Sequence, residues 1–288
     1  MKKSKKKIAI HISHYISDIS KKNYLQKIFK NFRKFNTNNY FFIHSNINLR
    51  SKNQKKIKFI FHNLKNEDPR YLTWKSRKLM EKQKNNFDYF IYMEDDISFT
   101  RKNFEYWLRY SKECIDNKFN LGFLRYEKDE RGNLWSSDLS YKLNKYVILK
   151  KKKYIVNDVN PYCAFWIYNK SEFNKFIKTN IWKFNWKKKS AFAFYNIQEM
   201  SAVGWHGLNM ERYLASIIPI SSKLPNTGSM IHHMSNVHVK KKVLSYKVRI
   251  KNIIFKNLKK YKHPSKVNRI TKQIKYDLYK PFQKYLFN

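Results

Sequence analysis

Along the first 117 residues of the chain, segments with the apolar pattern of a β-strand alternate with segments that have the apolar spacing of an α-helix. Residues 8–14, 40–44, 57–62 and 87–93 are β-branched or aromatic runs of strand length. Between them, residues 24–35, about 69–83 and about 103–116 carry apolar side chains at helical spacing. Strands that alternate with helices at this spacing predict an α/β fold with a mostly parallel sheet flanked by helices.

The second half of the chain has a less regular pattern. Residues 146–149 and 154–156 predict two strands on either side of four consecutive lysines, as in a hairpin. Residues 164–168 predict another strand, and residues 211–218 favour a helix. Beyond residue 240, apolar residues at helical spacing stand on a lysine-rich background. We therefore expect one domain over residues 1–240, with halves 1–117 and 118–240, and a basic amphipathic helical tail over residues 241–288.

The charge of the chain is extreme: 62 basic and 20 acidic side chains give its 288 residues a formal net charge of +42. Such a charge is typical of proteins that bind nucleic acid, lie against an anionic membrane or handle an anionic substrate. The joint abundance of Lys, Asn, Ile, Tyr and Phe also fits a compositional bias of AT-rich coding sequence. Because 42% of the residues are hydrophobic and 17% aromatic, a chain disordered throughout is excluded.

The two cysteines, Cys114 and Cys163, are too few for a disulfide framework or a cysteine-based zinc site. A reducing compartment is therefore expected. No uninterrupted apolar run approaches the ~20 residues of a membrane-spanning helix. We expect a cytoplasmic protein, and the basic tail favours a peripheral position on the cytoplasmic face of an anionic membrane.

Three of the few acidic residues, Glu94, Asp95 and Asp96, directly follow the fourth predicted strand, and we call them the acidic triplet. Clustered carboxylates repel one another unless a cation or basic group lies among them. Parallel sheets bind ligands at the carboxyl ends of their strands, and carboxylate oxygens suit Mg²⁺ or Mn²⁺. The triplet therefore predicts a metal site. The competing interpretation is a solvated turn whose carboxylates favour the start of the next helix.

The segment Phe-Asp-Tyr-Phe-Ile-Tyr-Met-Glu-Asp-Asp-Ile, residues 87–97, resembles the DxD segment of GT-A glycosyltransferases in its Glu-Asp-Asp form. In that family the motif ends the fourth strand of a nucleotide-binding half, as it does here. The resemblance, which covers residues 8–117, implies a GT-A-like, Rossmann-type fold. It implies that Asp96 binds Mn²⁺ or Mg²⁺ and that Glu94 and Asp95 contact the ribose or sugar of a nucleotide-sugar donor, commonly UDP-linked. It also implies a donor contact for Arg77, in the helix before the motif.

GT-A enzymes usually complete the metal site with a later His or Asp, and the resemblance implies His233 for this role, with His232 as the second candidate. Neutral imidazole is a good ligand for Mn²⁺. Neighbouring residues of an extended segment point to opposite sides, so only one of the two histidines can face the metal. The alternative is a pair of surface histidines in a loop.

The same resemblance implies a catalytic base in the second half of the chain. Inverting transfer requires a base for the acceptor hydroxyl, and Glu199 is the first candidate and Glu211 the second. Because sugars stack on aromatic faces, Trp205 is a candidate for contact with an acceptor sugar. Asp18 is a candidate contact for the base of the nucleotide from its position just after the first strand. Solvated helix positions for the glutamates and core packing for Trp205 are the alternatives.

The expected function is metal-dependent transfer of a sugar from a nucleotide-sugar to a hydroxyl of a glycan or lipid-linked acceptor. The alternative is a basic nucleic-acid-binding protein without catalytic activity, since lysines interleaved with aromatic residues suit nucleic acid. The sequence contains no zinc finger or RRM signature that would support this alternative.

The Tyr-Met-Glu-Asp-Asp segment also superficially resembles the Tyr-Met-Asp-Asp turn of reverse transcriptases. No earlier Asp at a strand end supplies the second metal position of a polymerase, which argues against that class.

Overall fold

The computed structural model describes residues 4–17, 24–49, 55–139, 141–158, 160–182, 196–205, 215–221, 224–241 and 247–262, which form an α/β structure with three sheets. The helices are α1 (Leu25–Arg33), α2 (Leu72–Lys82), α3 (Arg101–Asp116), α4 (Lys170–Phe176), α5 (Ile197–Val203) and α6 (Val237–Lys240). The strands are β1 (Lys7–His14), β2 (Asn38–Ser45), β3 (Ile57–Phe61), β4 (Tyr89–Glu94), β5 (Ile97–Ser98), β6 (Asn120–Leu121), β7 (Leu124–Lys128), β8 (Leu134–Ser136), β9 (Leu143–Leu149), β10 (Lys152–Asn157), β11 (Phe165–Asn169), β12 (Ser216–Ser221), β13 (Leu224–Pro225), β14 (Met230–His233) and β15 (Ile254–Lys260).

The first sheet has the strand order β11-β4-β1-β2-β3. β1 pairs in parallel with β2 and β4, β3 pairs in parallel with β2, and β11 is antiparallel to β4. The central strands β1 and β4 are buried almost throughout because neighbouring elements cover both faces of the sheet. The parallel arrangement places the last residues of β1 and β4 at the same edge, with Ser13 opposite Glu94.

The strands and helices predicted for the first 117 residues are confirmed as β1–β4 and α1–α3, close to their expected ends. Pro69 begins a short 3-10 turn, Pro69–Tyr71, that leads into α2. The hairpin around the four lysines is also confirmed: β9 and β10 are antiparallel, with Leu149 opposite Lys152.

Two smaller sheets make up most of the second half. One has the order β13-β12-β10-β9-β15, and β6 joins it beside β12. The other has the order β5-β14-β7-β8. Within it, β14 is antiparallel to β5, with His233 opposite Ile97 and His232 opposite Ser98. This pairing connects the histidine segment to the residues that directly follow the acidic triplet.

Two helix predictions were wrong where the structure describes them. Residues 254–260 form the edge strand β15, parallel to β9, instead of part of a helical tail. Ile250 and Ile253 are buried in a small core beneath this sheet, so their helical spacing reflects a 3-10 turn before a strand. Likewise, β12 begins at Ser216, within the segment expected to be helical. Residues 211–214 and 263–288 lie outside the described residues.

In the described part of the chain, none of the helices combines the length and the apolar character that crossing a bilayer requires.

The main core lies around the first sheet and is strongly aromatic; for example, Phe90 stacks on Phe173 with ring centroids 3.9 Å apart. This packing makes the first sheet a rigid base for the side chains at its carboxyl edge.

Candidate functional site

A cavity of about 280 Å³ opens at the carboxyl ends of β1 and β4. We call it the cleft, and its lining residues are Ser13, Tyr15, Pro69, Arg70, Leu72, Thr73, Glu94, Asp95, Asp96 and Gln198. The whole acidic triplet therefore lies at the position where parallel sheets bind ligands.

Asp96 is paired with His233 across the β5–β14 contact. Asp96 Oδ2 lies 2.8 Å from His233 Nε2, and Glu127 Oε1 lies 2.6 Å from His233 Nδ1. Burial alone would lower the pKa of His233, but hydrogen bonds to the two carboxylates outweigh it and raise the pKa to about 9. Burial would likewise raise the pKa of Asp96, but the hydrogen bond from His233 keeps it below its ordinary value. Without a metal, His233 is therefore a cation between two carboxylates.

The surroundings of His233 fix the orientation of its ring. The backbone N–H of Val239 donates to Glu127 Oε2 at 2.8 Å, so both oxygens of this buried carboxylate are occupied. The Ser235 hydroxyl lies 2.9 Å from His233 Nε2. A carboxylate on the far nitrogen of an imidazole is the arrangement that orients metal-binding histidines in proteins. Glu127 therefore has the contacts of a residue that positions His233.

The donor set at Asp96 and His233 fits a divalent cation. Asp96 Oδ1 is buried and has no hydrogen-bond partner among the described residues, which leaves an anionic oxygen for a ligand. Six ligands at ~2.1 Å from an ion lie roughly 3 Å from their neighbours, close to the 2.8 Å between Asp96 Oδ2 and His233 Nε2. Binding would displace the proton on Nε2, so metal affinity should fall as the solution becomes more acidic.

A second combination of ligand atoms lies on the other side of the imidazole. Glu127, His233 and His238 offer one ligand atom each, all within 4.8 Å of one another. Both Glu127 oxygens already accept hydrogen bonds, and a metal there would have to displace one of them. The unpartnered oxygen of Asp96 therefore favours the cleft side of His233 as the metal position.

Glu94 is held by two neutral donors. The Tyr162 hydroxyl donates to its Oε1 at 2.9 Å, and the Gln198 amide donates to its Oε2 at 2.7 Å. Burial, followed by the negative charge of Asp96, raises the pKa of Glu94 to about 7. Glu94 therefore changes its charge near neutral pH while its position remains fixed.

Asp95 is held from the other side, by the last residue of β1. Its Oδ2 lies 2.5 Å from His14 Nδ1, and burial raises the pKa of Asp95 above its ordinary value. His14 Nε2 is itself buried and has no hydrogen-bond partner within the described ranges. Each acidic residue is thus held by a different part of the fold. Asp95 contacts His14 of β1, Asp96 contacts His233 of β14, and Glu94 accepts hydrogen bonds from Tyr162 and from Gln198 of α5.

A buried arginine supplies positive charge behind the triplet. Arg125, on β7, makes a bidentate ion pair with Asp138, with distances of 2.9 and 2.5 Å. Its guanidinium lies 4.8 Å from the centroid of the Tyr162 ring. The charge of Arg125 lowers the pKa of both Glu94 and Asp96, against the larger effect of burial. Arg125 therefore helps to keep several carboxylates together in one cleft.

The structure separates the two candidate histidines as the strand period requires. His233 faces Asp96, whereas His232 stacks on Tyr126 with centroids 5.1 Å apart and lies 3.2 Å from Asn236 Oδ1. Of these two histidines, His233 is the one whose side chain contacts the acidic triplet in the described structure. Glu94, Asp95 and Asp96 all line the cleft, where the sequence placed them.

Arg77 does not line the cleft, contrary to the expectation for a donor-binding residue. Its buried guanidinium lies 3.9 Å from the ring centroid of Trp74 and 4.8 Å from that of Trp182. It donates to the carbonyls of Ile181 and Trp182, and burial lowers its pKa to about 9. α2 turns this residue toward the core, and Arg70, just before α2, is the arginine at the cleft.

Trp205 also occupies the core instead of an open acceptor surface. Only 7% of it is exposed, its ring stacks on Phe176, and its backbone N–H donates to the Tyr168 hydroxyl at 2.6 Å. In this conformation the ring has no free face for a sugar, so the core alternative applies.

Glu199 has a local structural contact. Its Oε2 accepts a hydrogen bond from the backbone N–H of Asn196 at 2.9 Å and completes the capping box of α5. The preceding residue, Gln198, is the one that reaches the cleft. Asp18 and Glu211 lie outside the described residues.

Five residues of the site were not identified from the sequence: His14, Arg125, Glu127, Tyr162 and Gln198. His14 had a usable signal, because a polar residue at the end of β1 must lie beside the end of a neighbouring parallel strand. The other four come from the less regular half, where the sequence did not predict which strands meet the triplet.

No protein-family model and no curated protein matches this sequence.

Proposed function

We propose that this protein is a metal-dependent glycosyltransferase with a GT-A-like fold that uses a nucleotide-sugar donor, UDP-linked by resemblance, and a glycan or lipid-linked acceptor. The observation that carries the proposal is the pairing of Asp96 with His233 in a cleft at the carboxyl ends of β1 and β4. A solvated turn would not need a buried histidine from a distant strand with its own supporting carboxylate.

In this proposal Asp96 and His233 hold Mn²⁺ or Mg²⁺, which would neutralise the charge of a donor diphosphate and of the leaving group. Glu127 keeps the His233 ring oriented toward Asp96. Glu94 and Asp95 face the cleft as hydrogen-bond acceptors for hydroxyl groups, which suits a ribose or a sugar. Tyr162 and His14 fix these two carboxylates in place.

The charge of the cleft argues against direct binding of nucleic acid at this position. Three carboxylates line it, and Arg70 is the one arginine among the lining residues that the structure describes. A phosphate group would be repelled there unless a cation were bound first. A metal-bridged diphosphate satisfies that condition, and a bare nucleic-acid backbone does not.

The test is release of nucleoside diphosphate from a panel of UDP-, GDP- and ADP-sugars, with Mn²⁺ and with EDTA. Asp96→Asn removes a proposed metal ligand while keeping the shape of the side chain. We expect Mn²⁺-dependent release from at least one donor and a loss of about 100-fold or more in the variant.

Asp116→Asn is the matched control because Asp116 lies at the end of α3, is half-exposed and pairs only with Lys112 in the described structure. It should release product at the wild-type rate. Release that is unaffected by EDTA, or equal in Asp96→Asn and wild type, would overturn the proposed function, as would the absence of release from every donor.

A further inference from the structure

The turn between β9 and β10 has an unusual backbone for its sequence. Two residues, Lys150 and Lys151, connect the strands, with φ angles of 44° and 65°. Two-residue hairpin turns of this kind favour Asn-Gly, because glycine has no Cβ to be strained at positive φ and the short polar side chain of asparagine tolerates this region. Two lysines therefore occupy positions where the backbone alone would select other residues, and such strain often accompanies a surface role.

The lysines of this turn are not neutralised by nearby carboxylates. We call residues 150–153 the lysine turn, and none of its four side chains forms an ion pair with any described residue, whereas Lys6, Lys75 and Lys145 each do. The Nζ atoms of Lys152 and Lys153 instead lie 4.6 and 4.2 Å from the ring centroids of Tyr110 and Tyr146. The tip of the hairpin therefore carries a concentrated positive charge.

An exposed aliphatic side chain adjoins this charge. Ile148 is 58% exposed and lies opposite Lys153 in the β9–β10 register, so the two side chains share one face of the sheet. Tyr146 lies on the same face, two residues before Ile148. The parallel pairing of β15 with β9 adds Lys260 opposite Tyr146. The result is a small apolar surface with Lys153 and Lys260 beside it and the turn residues Lys150 and Lys151 at its end.

We propose that the lysine turn and Ile148 form a docking surface for an anionic lipid bilayer. Lysines bind the headgroups of anionic lipids, and an exposed aliphatic chain is stabilised by burial at the interface between headgroups and acyl chains. Nucleic acid would use the charge but not the isoleucine, because bases prefer to stack on aromatic or planar groups. The surface goes beyond the proposed transferase activity and does not depend on it.

The first experiment is co-sedimentation with vesicles of phosphatidylcholine alone and of phosphatidylcholine with phosphatidylglycerol. The double variant Lys150→Asn with Lys151→Gly installs the pair that this turn prefers and removes two charges. Each lysine near an anionic surface contributes about fivefold to binding, so the variant should bind the anionic vesicles about 25-fold more weakly. Its melting temperature should be equal or higher, because strain at two positive-φ positions is relieved.

Lys82→Gln with Lys84→Gln is the matched control, since both lysines are exposed at the end of α2 and their loss changes the net charge by the same amount. It should bind anionic vesicles within about twofold of wild type, because charge away from the contact is screened. Ile148→Ser should weaken binding severalfold while leaving every lysine in place.

Three results would overturn the proposal. The first is binding of the turn variant that equals wild type. The second is equal binding of wild type to neutral and anionic vesicles. The third is a turn variant that loses retention on RNA but keeps full binding to anionic vesicles, which would assign the lysine turn to nucleic acid.

Discussion

A row of three histidines across the first sheet and the single histidine His233 at the cleft have opposite properties. His11, His44 and His62 form a row across β1, β2 and the end of β3, which we call the histidine ladder. His11 Nδ1 lies 3.0 Å from His44 Nε2, and His44 Nδ1 lies 2.9 Å from His62 Nε2. Burial lowers the pKa of His11 to about 3 and that of His44 well below its ordinary value. The pKa of His233, by contrast, is raised to about 9.

The difference shows that the neighbours, more than burial, decide the charge of a buried imidazole. Burial opposes the charged form in both groups. Among the described residues, His11 and His44 form side-chain hydrogen bonds with neutral partners, and the row ends at Gln83 Oε1, 2.9 Å from His11 Nε2. His233 has a carboxylate on each nitrogen. The ladder is therefore a neutral, hydrogen-bonded connection between strands, whereas His233 belongs to a charged cluster suited to a cation.

The largest expected effect comes from removing a charge beside His233. Glu127→Gln keeps the shape of the side chain but leaves the buried imidazolium with one carboxylate. Because Asp96 still pairs with the imidazolium, the loss in the free energy of unfolding should lie at the low end of the range for a broken buried charge pair, about 3 kcal/mol. Urea denaturation at pH 7 measures it. Glu105→Gln, which breaks an exposed pair with Arg101, is the control and should cost less than about 0.5 kcal/mol.

The second prediction concerns alkaline pH. Because the pKa of His233 is about 9 in the folded state and near 6.5 when unfolded, its stabilising charge is fully present below about pH 6.5. The contribution is lost as the pH rises through 9, and it amounts to about 3 kcal/mol. We expect the free energies of unfolding of wild type and His233→Asn to converge between pH 7 and pH 10. A constant difference between them would contradict a charged His233.

The third prediction compares the middle of the histidine ladder with its end. His44→Leu removes two hydrogen bonds and leaves the buried His11 Nδ1 without a partner. It should lower the free energy of unfolding by about 2–3 kcal/mol. His62→Leu removes one hydrogen bond at the half-buried end and should cost about 1 kcal/mol. Equal losses in denaturant titrations would show that the three rings do not act as a connected row.

The smallest effect is expected on the acid side. His11 remains neutral in the folded state down to about pH 3 but takes up a proton below about pH 6.5 when unfolded. Its contribution to stability is therefore complete above pH 6.5 and falls with pH, with a loss of about 2 kcal/mol at pH 5. His11→Gln should flatten this part of the stability profile. A slope equal to that of wild type between pH 6.5 and 5 would contradict a neutral ladder.

The first half of the fold could be predicted because its elements are local and periodic. Strands β1–β4 are continuous apolar runs, and α1–α3 have regular apolar spacing. Residues 250–261 show why apolar spacing did not predict the elements near the end of the described chain. Their apolar residues at helical spacing pack partly under a sheet, and the strand conformation of β15 follows from pairing with β9. Pairing between distant segments is not visible in local periodicity.

The acidic triplet and His233 were accessible from the sequence because a motif and its position after a strand carried the signal. The supporting residues were not. Glu127 and Arg125 lie on β7, and their contacts with His233 and the triplet depend on the pairing of β7 with β14. Arg77 shows the limit of such a signal, since a position one helix before the motif does not determine the side of the helix that faces the cleft.

Calorimetric titration of UDP into the protein, in Mn²⁺ and in EDTA, shows whether the acidic triplet and His233 form a metal and nucleotide site. Wild type, Asp96→Asn and Asp116→Asn should be compared after circular dichroism has shown that all three are folded. We expect UDP binding that requires Mn²⁺, is at least about 10-fold weaker in Asp96→Asn, and is unchanged in Asp116→Asn. Binding of UDP that persists in EDTA and in Asp96→Asn would contradict a metal and nucleotide site at the acidic triplet.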